Sequence, residues 1–327
     1  MLKKKFTIII PVIKKNKYLI KNLIFLNKQI FKNFDVIIVS ESNIFIDKNN
    51  FNYEIKILKK NIINPGAKRN FAAKHAEGKY LAFIDDDAYP NYDWLQIAHK
   101  KILSTNIKDK FILGGPGILP DDENLFSIAV DYSFRSLIYG NAKLRYESVK
   151  KIPALIDDWP SVNMIISKIF FLSINGFDEN HWPGEDSKLC NKLLNKNGRI
   201  IYLPSMIVKH YRRSTFVKHY TQIFRYAFTR GIFFKNKDKN SYKINFLLPS
   251  LFLFYFISLF FVKNFIFYIP LFSLIIFLFF ENFFILKSKK LILSIVSAIL
   301  IILNILIYGL GFCMSFFLKN YKTKLGR

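Results

Sequence analysis

The chain reads as an α/β protein with a mostly parallel sheet, helices on both faces, and apolar transmembrane helices after it at the C-terminus. Three observations predict this. Short apolar runs alternate with helical-period segments over the first 210 residues. One of those runs, Lys79–Ile84, passes straight into Asp85-Asp86-Asp87. From Phe246 onward, three apolar runs follow one another with almost no charge inside them.

The elements follow in order. Phe6–Ile10 is a nearly continuous apolar run ended by Pro11, as expected of a strand buried on both faces. Tyr18–Phe31 carries apolar residues at helical spacing, and Asp35–Val39 and Tyr53–Leu58 read as two further strands. Asn64 fits a helix N-cap, Pro65 its first turn and Gly78 the position past its end. Lys79–Ile84 is the fourth strand. Such alternation implies a parallel sheet, whose ligands sit at the carboxyl ends of the strands. Pro11, Ser40-Glu41 and Asp85–Asp87 all fall at those ends, so three segments converge on one crevice. After a long irregular stretch, Trp159–Met164 precedes a helix-like segment. Asn175–Glu179, Gly184-Glu185-Asp186 and a helical run from Ser187 to Leu194, closed by Asn197-Gly198, come next. Arg199–Leu203 is a strand, and 207–210 returns toward the sheet.

Three carboxylates after a buried strand make a rigid anionic tip. Such a tip attracts a hard divalent cation, and a cation there can hold a diphosphate. Glu185 and Asp186 lie at a helix N-terminus, where the macrodipole favours negative charge; an acidic N-cap is the plain alternative.

Composition bounds the rest. The 327 residues suit one catalytic domain plus an appendage. The apolar runs are Phe246–Val262, Phe265–Phe280 and Leu291–Leu318, of 17, 16 and 28 residues. About 20 apolar residues span the hydrocarbon layer. The first two are slightly short, although Phe283–Leu286 can lengthen the second past Glu281. The third can cross with tilt or break near Gly309 and Gly311. Three such runs leave no polar face for water, so a membrane region is expected. The net charge of +26 raises nucleic-acid binding, but no nucleic-acid motif accompanies it and none is expected as a partner. Much of the charge flanks the apolar runs instead: Lys235, Lys237, Lys239 and Lys243 before the first, and Lys287, Lys289 and Lys290 before the third. That placement fits the cytoplasmic face of an anionic membrane. Lys319, Lys322, Lys324 and Arg327 follow the third run, where three simple crossings would put them outside. Cys190 and Cys313 lack metal or redox spacing, which implies a reducing compartment. The apolar run after Met1–Lys5 is broken at Pro11, so no signal peptide is expected and the catalytic part is placed in the cytoplasm.

Residues 6 to about 231 resemble a family 2 glycosyltransferase with the GT-A fold. The matching pieces are TIIIPV, DVIIVSES, NPGAKRNFAAKHAEGKYLAFIDDD, PSVNM, NGFDENHWPGEDSKL and IIYLPSMIVKH, in the family's order and spacing. The resemblance implies that Pro11 and Glu41 bind the nucleoside, that Arg69 faces the nucleotide, and that Asp85 and Asp86 contact the nucleotide-sugar. It implies Asp87 and His210 as ligands of Mg²⁺ or Mn²⁺, and Asp186 of the Glu185-Asp186 pair as general base. The chain departs from the family at Ser40-Glu41, where Asp-Asp is usual, and at Ile13-Lys14, where Tyr-Asn is common. The first departure leaves the base open, uracil being the most frequent. Arg69 has an alternative role, pairing with an acid on a neighbouring helix, and His210 lies in the basic run Lys209–Arg213. Asp157-Asp158 fit either a sugar contact or a loop cap, and Asp178 and Glu179 fit a structural turn.

The resulting expectation is a GT-A domain over 1–215, a basic amphipathic interfacial segment over 216–245, a membrane region of about three helices over 246–318, and a basic tail over 319–327. Phe216, Tyr220, Ile223, Phe224 and Ala227 share one face of the interfacial segment, and 126–138 adds apolar surface. Gln222–Tyr226 is similar to the Gln-x-x-Arg-Trp element of processive synthases, with Tyr in the last place. The function implied is inverting, metal-dependent transfer from a nucleotide-sugar, a UDP-sugar above others, to a membrane-bound, polyprenyl-linked glycan of the cell envelope, on the cytoplasmic side of the inner membrane. A processive polysaccharide synthase is the second reading within enzymes. A catalytically silent scaffold or polyanion binder is the reading from another class.

Overall fold

The computed structural model describes residues 4–105, 110–148, 152–285 and 291–318. The basic tail 319–327, Met1–Lys3 and the lysines at 287, 289 and 290 lie outside them. The described residues fall into two compact units, 1–120 with 147–210, and 121–146 with 211–323. The segment 121–146, expected within the domain over 1–215, groups with the C-terminal helices instead.

The first unit is built on eleven described strands. They are β1 (Phe6–Val12), β2 (Phe34–Ser40), β3 (Glu54–Lys59), β4 (Tyr80–Phe83), β5 (Ala88–Pro90), β6 (Phe111–Gly114), β7 (Gly117–Ile118), β8 (Ala154–Ile156), β9 (Met164–Ser167), β10 (Arg199–Tyr202) and β11 (Val208–His210). Eight form one sheet in the order β3-β2-β1-β4-β9-β6-β10-β8. β1, β2, β3 and β4 are parallel neighbours, as are β6 and β10. β9 runs antiparallel between β4 and β6, and β8 antiparallel to β10.

Alternation along β1 fixes the two layers. Phe6, Ile8 and Ile10 pack with Leu19, Leu23 and Leu26 of the helix Lys17–Asn27 and with Trp94, Leu95 and Ala98 of the helix Trp94–Leu103. On the other face, Phe83 of β4 meets Phe171 and Phe177 at ring separations of 5.4 and 5.0 Å. Pro11 sits in a central strand without breaking it because the β1–β4 ladder ends at Ile9–Phe83, so its missing N–H costs no bond on that side.

Two expectations are corrected here. The segment after Trp159 is a short 3₁₀ turn followed by the strand β9, with the helix Lys168–Ser173 only afterward. Met164, Ile165 and Ile166 are fully buried, and a short apolar run buried on both faces shows no period that separates strand from helix. Gly78 does not cap the helix Pro65–His75, whose C-cap is Ala76. Its lack of a side chain is a matter of close packing: a Cβ would lie 2.3 Å from the Thr7 backbone nitrogen, and its own N–H donates to Thr7 Oγ1 at 2.8 Å.

The second unit gathers around the helix Leu291–Phe317, continuous through Gly309 and Gly311. Ser297 Oγ donates to Ala129 O of the helix Leu125–Phe134, and Ser250 Oγ of the helix Leu248–Ser258 to Gly309 O. Leu278 of the helix Ile269–Ile285 packs on Ala298 and Ile301. The apolar face that the sequence offered to lipid in Phe216–Lys235 is largely covered by protein. Tyr220, Ile223 and Ala227 are buried, and Gly311 comes against Phe224 and Ala227, while Phe216 stays exposed. Among the described residues, two stretches are long and apolar enough to cross a membrane, Phe265–Phe284 and Leu291–Phe317.

Candidate active site

The acidic tip forms where β4 ends. Its third carboxylate meets His210 through a second, three-stranded sheet in the order β5-β11-β7. β11 runs antiparallel to β5 with His210 opposite Ala88, so the histidine lies beside the residue after Asp87. His210 Nε2 is 3.4 Å from Asp87 Oδ1. One donor atom each from Asp85, Asp87 and His210 lies within 4.8 Å of the others. Two carboxylates and an imidazole in that space fit a hard or borderline divalent cation.

Arg69 ties this tip to the second acidic pair. Its Nη2 lies 2.5 Å from Asp85 Oδ1 and its Nη1 3.3 Å from Glu185 Oε1, so it reaches the acidic tip after β4 and also pairs with a neighbouring helix. Burial works to lower the Arg69 pKa, but Asp85, Asp186 and Glu185 outweigh it and hold the guanidinium firmly charged. Gly184, in the left-handed region at φ 118°, starts the helix Glu185–Asn195 and places both acids in its first turn. Burial raises the Glu185 carboxyl above its ordinary range, reinforced by Asp186 and opposed by Arg69. Burial raises Asp186 as well, against Arg69 and hydrogen bonds from Ser161. Asp186 Oδ1 is buried and accepts no hydrogen bond among the described residues. A carboxylate oxygen in that state is poised to accept a proton.

The remaining expected residues fall around this centre. Glu41, just past β2, is held by Lys68, whose Nζ lies 2.6 Å from Glu41 Oε1 and donates to Val12 O at 2.8 Å. Pro11 lies within β1, one residue before that carbonyl. Asp86 Oδ2 accepts from Asn16 Nδ2 at 2.6 Å, joining the loop after β1 to the acidic tip. Asp158 Oδ2 accepts from Ser187 Oγ at 3.1 Å. Asp178 is pulled down to about 2 by its hydrogen bond with His181, and Glu179 accepts from Asn70 at 2.9 Å, both turn-shaping contacts.

Lys68, Asn16 and Ser161 were missed from sequence. Lys68 left a signal: the helix PGAKRNFAAKH holds no acid, so a cation on its buried face must find a carboxylate elsewhere. Ser161 lay within the matched piece PSVNM without a role assigned to it, and Asn16 left no signal, since a short polar residue in a loop is ordinary.

Comparison with known proteins bears on the family and the fold. The model of the glycosyltransferase-like family 2 matches residues 7–240. Poly(ribitol-phosphate) β-N-acetylglucosaminyltransferase TarS of Staphylococcus aureus is 34% identical over 103 residues, 29% of this chain and 18% of that protein. Glycosyltransferase GlyA of Streptococcus pneumoniae is 23% identical over 235 residues, 68% of this chain and 33% of that protein. The chain thus spans a third or less of these relatives' length. Among solved structures, GalNAc-T7 with UDP, GalNAc and Mn²⁺ aligns with a TM-score of 0.50 at 11% identity, covering 70% of this chain and 51% of that one. The likeness extends to the fold, a mostly parallel GT-A sheet with helices. With its sheet, its acid-tipped fourth strand and more than half of its length matched by the family model, the chain belongs to the glycosyltransferase-like family 2.

Proposed function

We propose that this protein transfers one sugar, with inversion, from a nucleotide-sugar donor to a membrane-associated glycan acceptor in cell-envelope synthesis. A UDP-sugar is the donor and a polyprenyl-linked glycan the acceptor. The observation that carries the reading is the meeting of Asp85, Asp87 and His210 within 4.8 Å, bridged through Arg69 to Glu185 and to the neighbouring Asp186. Sugar transfer is the activity for which relatives such as TarS and GlyA are named.

Asp87 and His210, with Asp85, would hold Mg²⁺ or Mn²⁺, which when bound supplies Lewis-acid stabilisation of the departing diphosphate. Asp186 Oδ1 takes the proton of the acceptor hydroxyl as that oxygen bonds to the anomeric carbon and the carbon–oxygen bond to the diphosphate breaks. One base and direct displacement give inversion. Arg69 holds Glu185 and Asp85 in place, and Asp86 orders the crevice with Asn16. Pro11 and Glu41, the latter oriented by Lys68, form the nucleoside end. The apolar helices keep the chain at the cytoplasmic face of the inner membrane, where a lipid-linked acceptor is concentrated.

The test is donor screening with the full chain in detergent, read as nucleoside diphosphate release with Mn²⁺ or Mg²⁺ and with chelator. Release from one donor class, lost in Asp87→Ala, is expected. No release from any donor with any divalent ion counts against the reading.

A further inference from the structure

The second unit carries two apolar helices of crossing length, yet its geometry points to a different placement: the helices lie along one leaflet as a monotopic platform, and Leu291–Phe317 crosses nothing. This placement rests on the membrane association proposed above.

The first argument is the company that helix keeps. At about 1.5 Å per residue its 27 residues could cross a hydrocarbon layer about 30 Å thick. The charged helix Phe216–Lys235 runs parallel beside it. His219 Nε2 is 2.8 Å from Asn304 Oδ1, Gly311 comes against Ala227, and a Cβ on Gly231 would lie 2.0 Å from Ser315 Oγ. Lys235 Nζ then donates to Ser315 O. The pairs advance together, so the two helices share a course from Asn304 to Ser315. Arg225 and Arg230 sit along that course, and Arg230 donates to Ser241 at 2.7 Å. A crossing with this stretch in the hydrocarbon would carry both guanidinium groups in with it, at high cost.

The second argument is sidedness. Ser294, Ser297, Asn304 and Ser315 are buried against protein, while Ile292, Ile295, Ile299, Phe316 and Phe317 are exposed. Leu293, Leu300, Ile301 and Phe312 are buried with them, so one side of the helix is covered by protein and the other is apolar and open, as suits a leaflet surface.

The third is the hairpin. Leu248–Ser258 has 11 residues and reaches about 17 Å, roughly half the layer. Tyr255 OH donates to Phe267 O and Tyr268 OH to Leu259 O, both at 2.7 Å, lacing this helix to the next across a turn that contains Lys263 and Asn264. Standing upright, the hairpin would bury a lysine near mid-bilayer; lying flat, it keeps Lys263 at the headgroups. The occupant of the open apolar side is an anionic lipid leaflet, chosen by the basic flank of Lys218, Lys235, Lys237 and Lys239.

The test uses the full chain in sealed vesicles, cysteines introduced one at a time in a Cys313→Ser background whose remaining Cys190 is fully buried, and a membrane-impermeant maleimide. Ser104→Cys in the first unit marks the catalytic face. Lys290→Cys and Lys319→Cys bracket the long helix in sequence, and Lys263→Cys marks the hairpin turn, a second readout should an end variant fail to fold. All are expected to label without detergent wherever Ser104→Cys does, to within about twofold. Protection of either helix end, or of the turn, until detergent is added overturns the placement. A chain that labels as expected but releases no nucleoside diphosphate refutes the transfer reading alone. One that turns over donor with its helix ends on opposite faces refutes this placement alone.

Discussion

Two acidic groups flank Arg69, and they differ in the company each keeps. At the end of β4, Asp85 and Asp86 are half-buried, and Asp87, buried, shares its space with His210. In the helix Glu185–Asn195, Glu185 is buried and Asp186 half-buried, with one oxygen that accepts no hydrogen bond among the described residues. Carboxylates gathered beside an imidazole suit a divalent cation. Burial raises the pKa of Glu185 and Asp186, so these carboxyls hold a proton more tightly and suit taking one from a substrate. In the reading proposed above, the same side chain is a ligand in one setting and a base in the other, and one guanidinium holds the two like-charged groups together.

That contrast can be broken at several points. Asp186→Asn keeps the shape of the second group and removes its basicity; kcat should fall roughly 10²- to 10⁴-fold with donor KM little changed. Asp87→Ala removes the first group's grip; transfer should fall by about 10²- to 10³-fold and excess Mn²⁺ should not restore it. Arg69→Met leaves Glu185 buried without its cation, and chemical denaturation should show a loss of about 3–5 kcal/mol, the penalty for breaking a buried pair. Lys68→Met frees Glu41, and donor KM should rise roughly three- to tenfold with kcat near its original value.

The smallest effect is a pH shift. Burial raises the Asp186 pKa, so the base form is lost as pH falls through a value above the ordinary carboxylate range near 4. The acid limb of kcat/KM should therefore lie above that range. Ser161 opposes the rise, so Ser161→Ala should move the limb upward. For stability the sign is the reverse of the usual carboxylate case. Folding favours the protonated pair, so stability is greatest below the unfolded pKa and is lost as pH rises through the raised one.

The acidic tip was legible because local chemistry wrote it down. An apolar strand ending in three acids, and Asn64-Pro65 opening a helix, each carry their meaning within a few residues. His210 was placed by resemblance alone; its meeting with Asp87 depends on β11 pairing with β5, which spans more than a hundred residues and leaves no local trace. β9 was misread because its four buried residues show no period, and β6 was passed over in the stretch read as irregular. The C-terminal region was legible in part. Hydrophobic length was plain in Leu291–Phe317, but its polar contacts, Ser297 to the helix Leu125–Phe134 and Asn304 to His219, join segments far apart in sequence and leave no local trace.

The central claim is that a cation held by Asp85, Asp87 and His210 receives the donor's diphosphate. Equilibrium binding of UDP to the full chain in detergent, with Mn²⁺ and with chelator, in wild type and Asp87→Ala, tests it most directly. The account predicts that Mn²⁺ tightens binding by at least about tenfold, roughly 1.4 kcal/mol, in the wild type and has no effect in the variant. Equal UDP affinity in chelator, or an undiminished Mn²⁺ effect in Asp87→Ala, would contradict it.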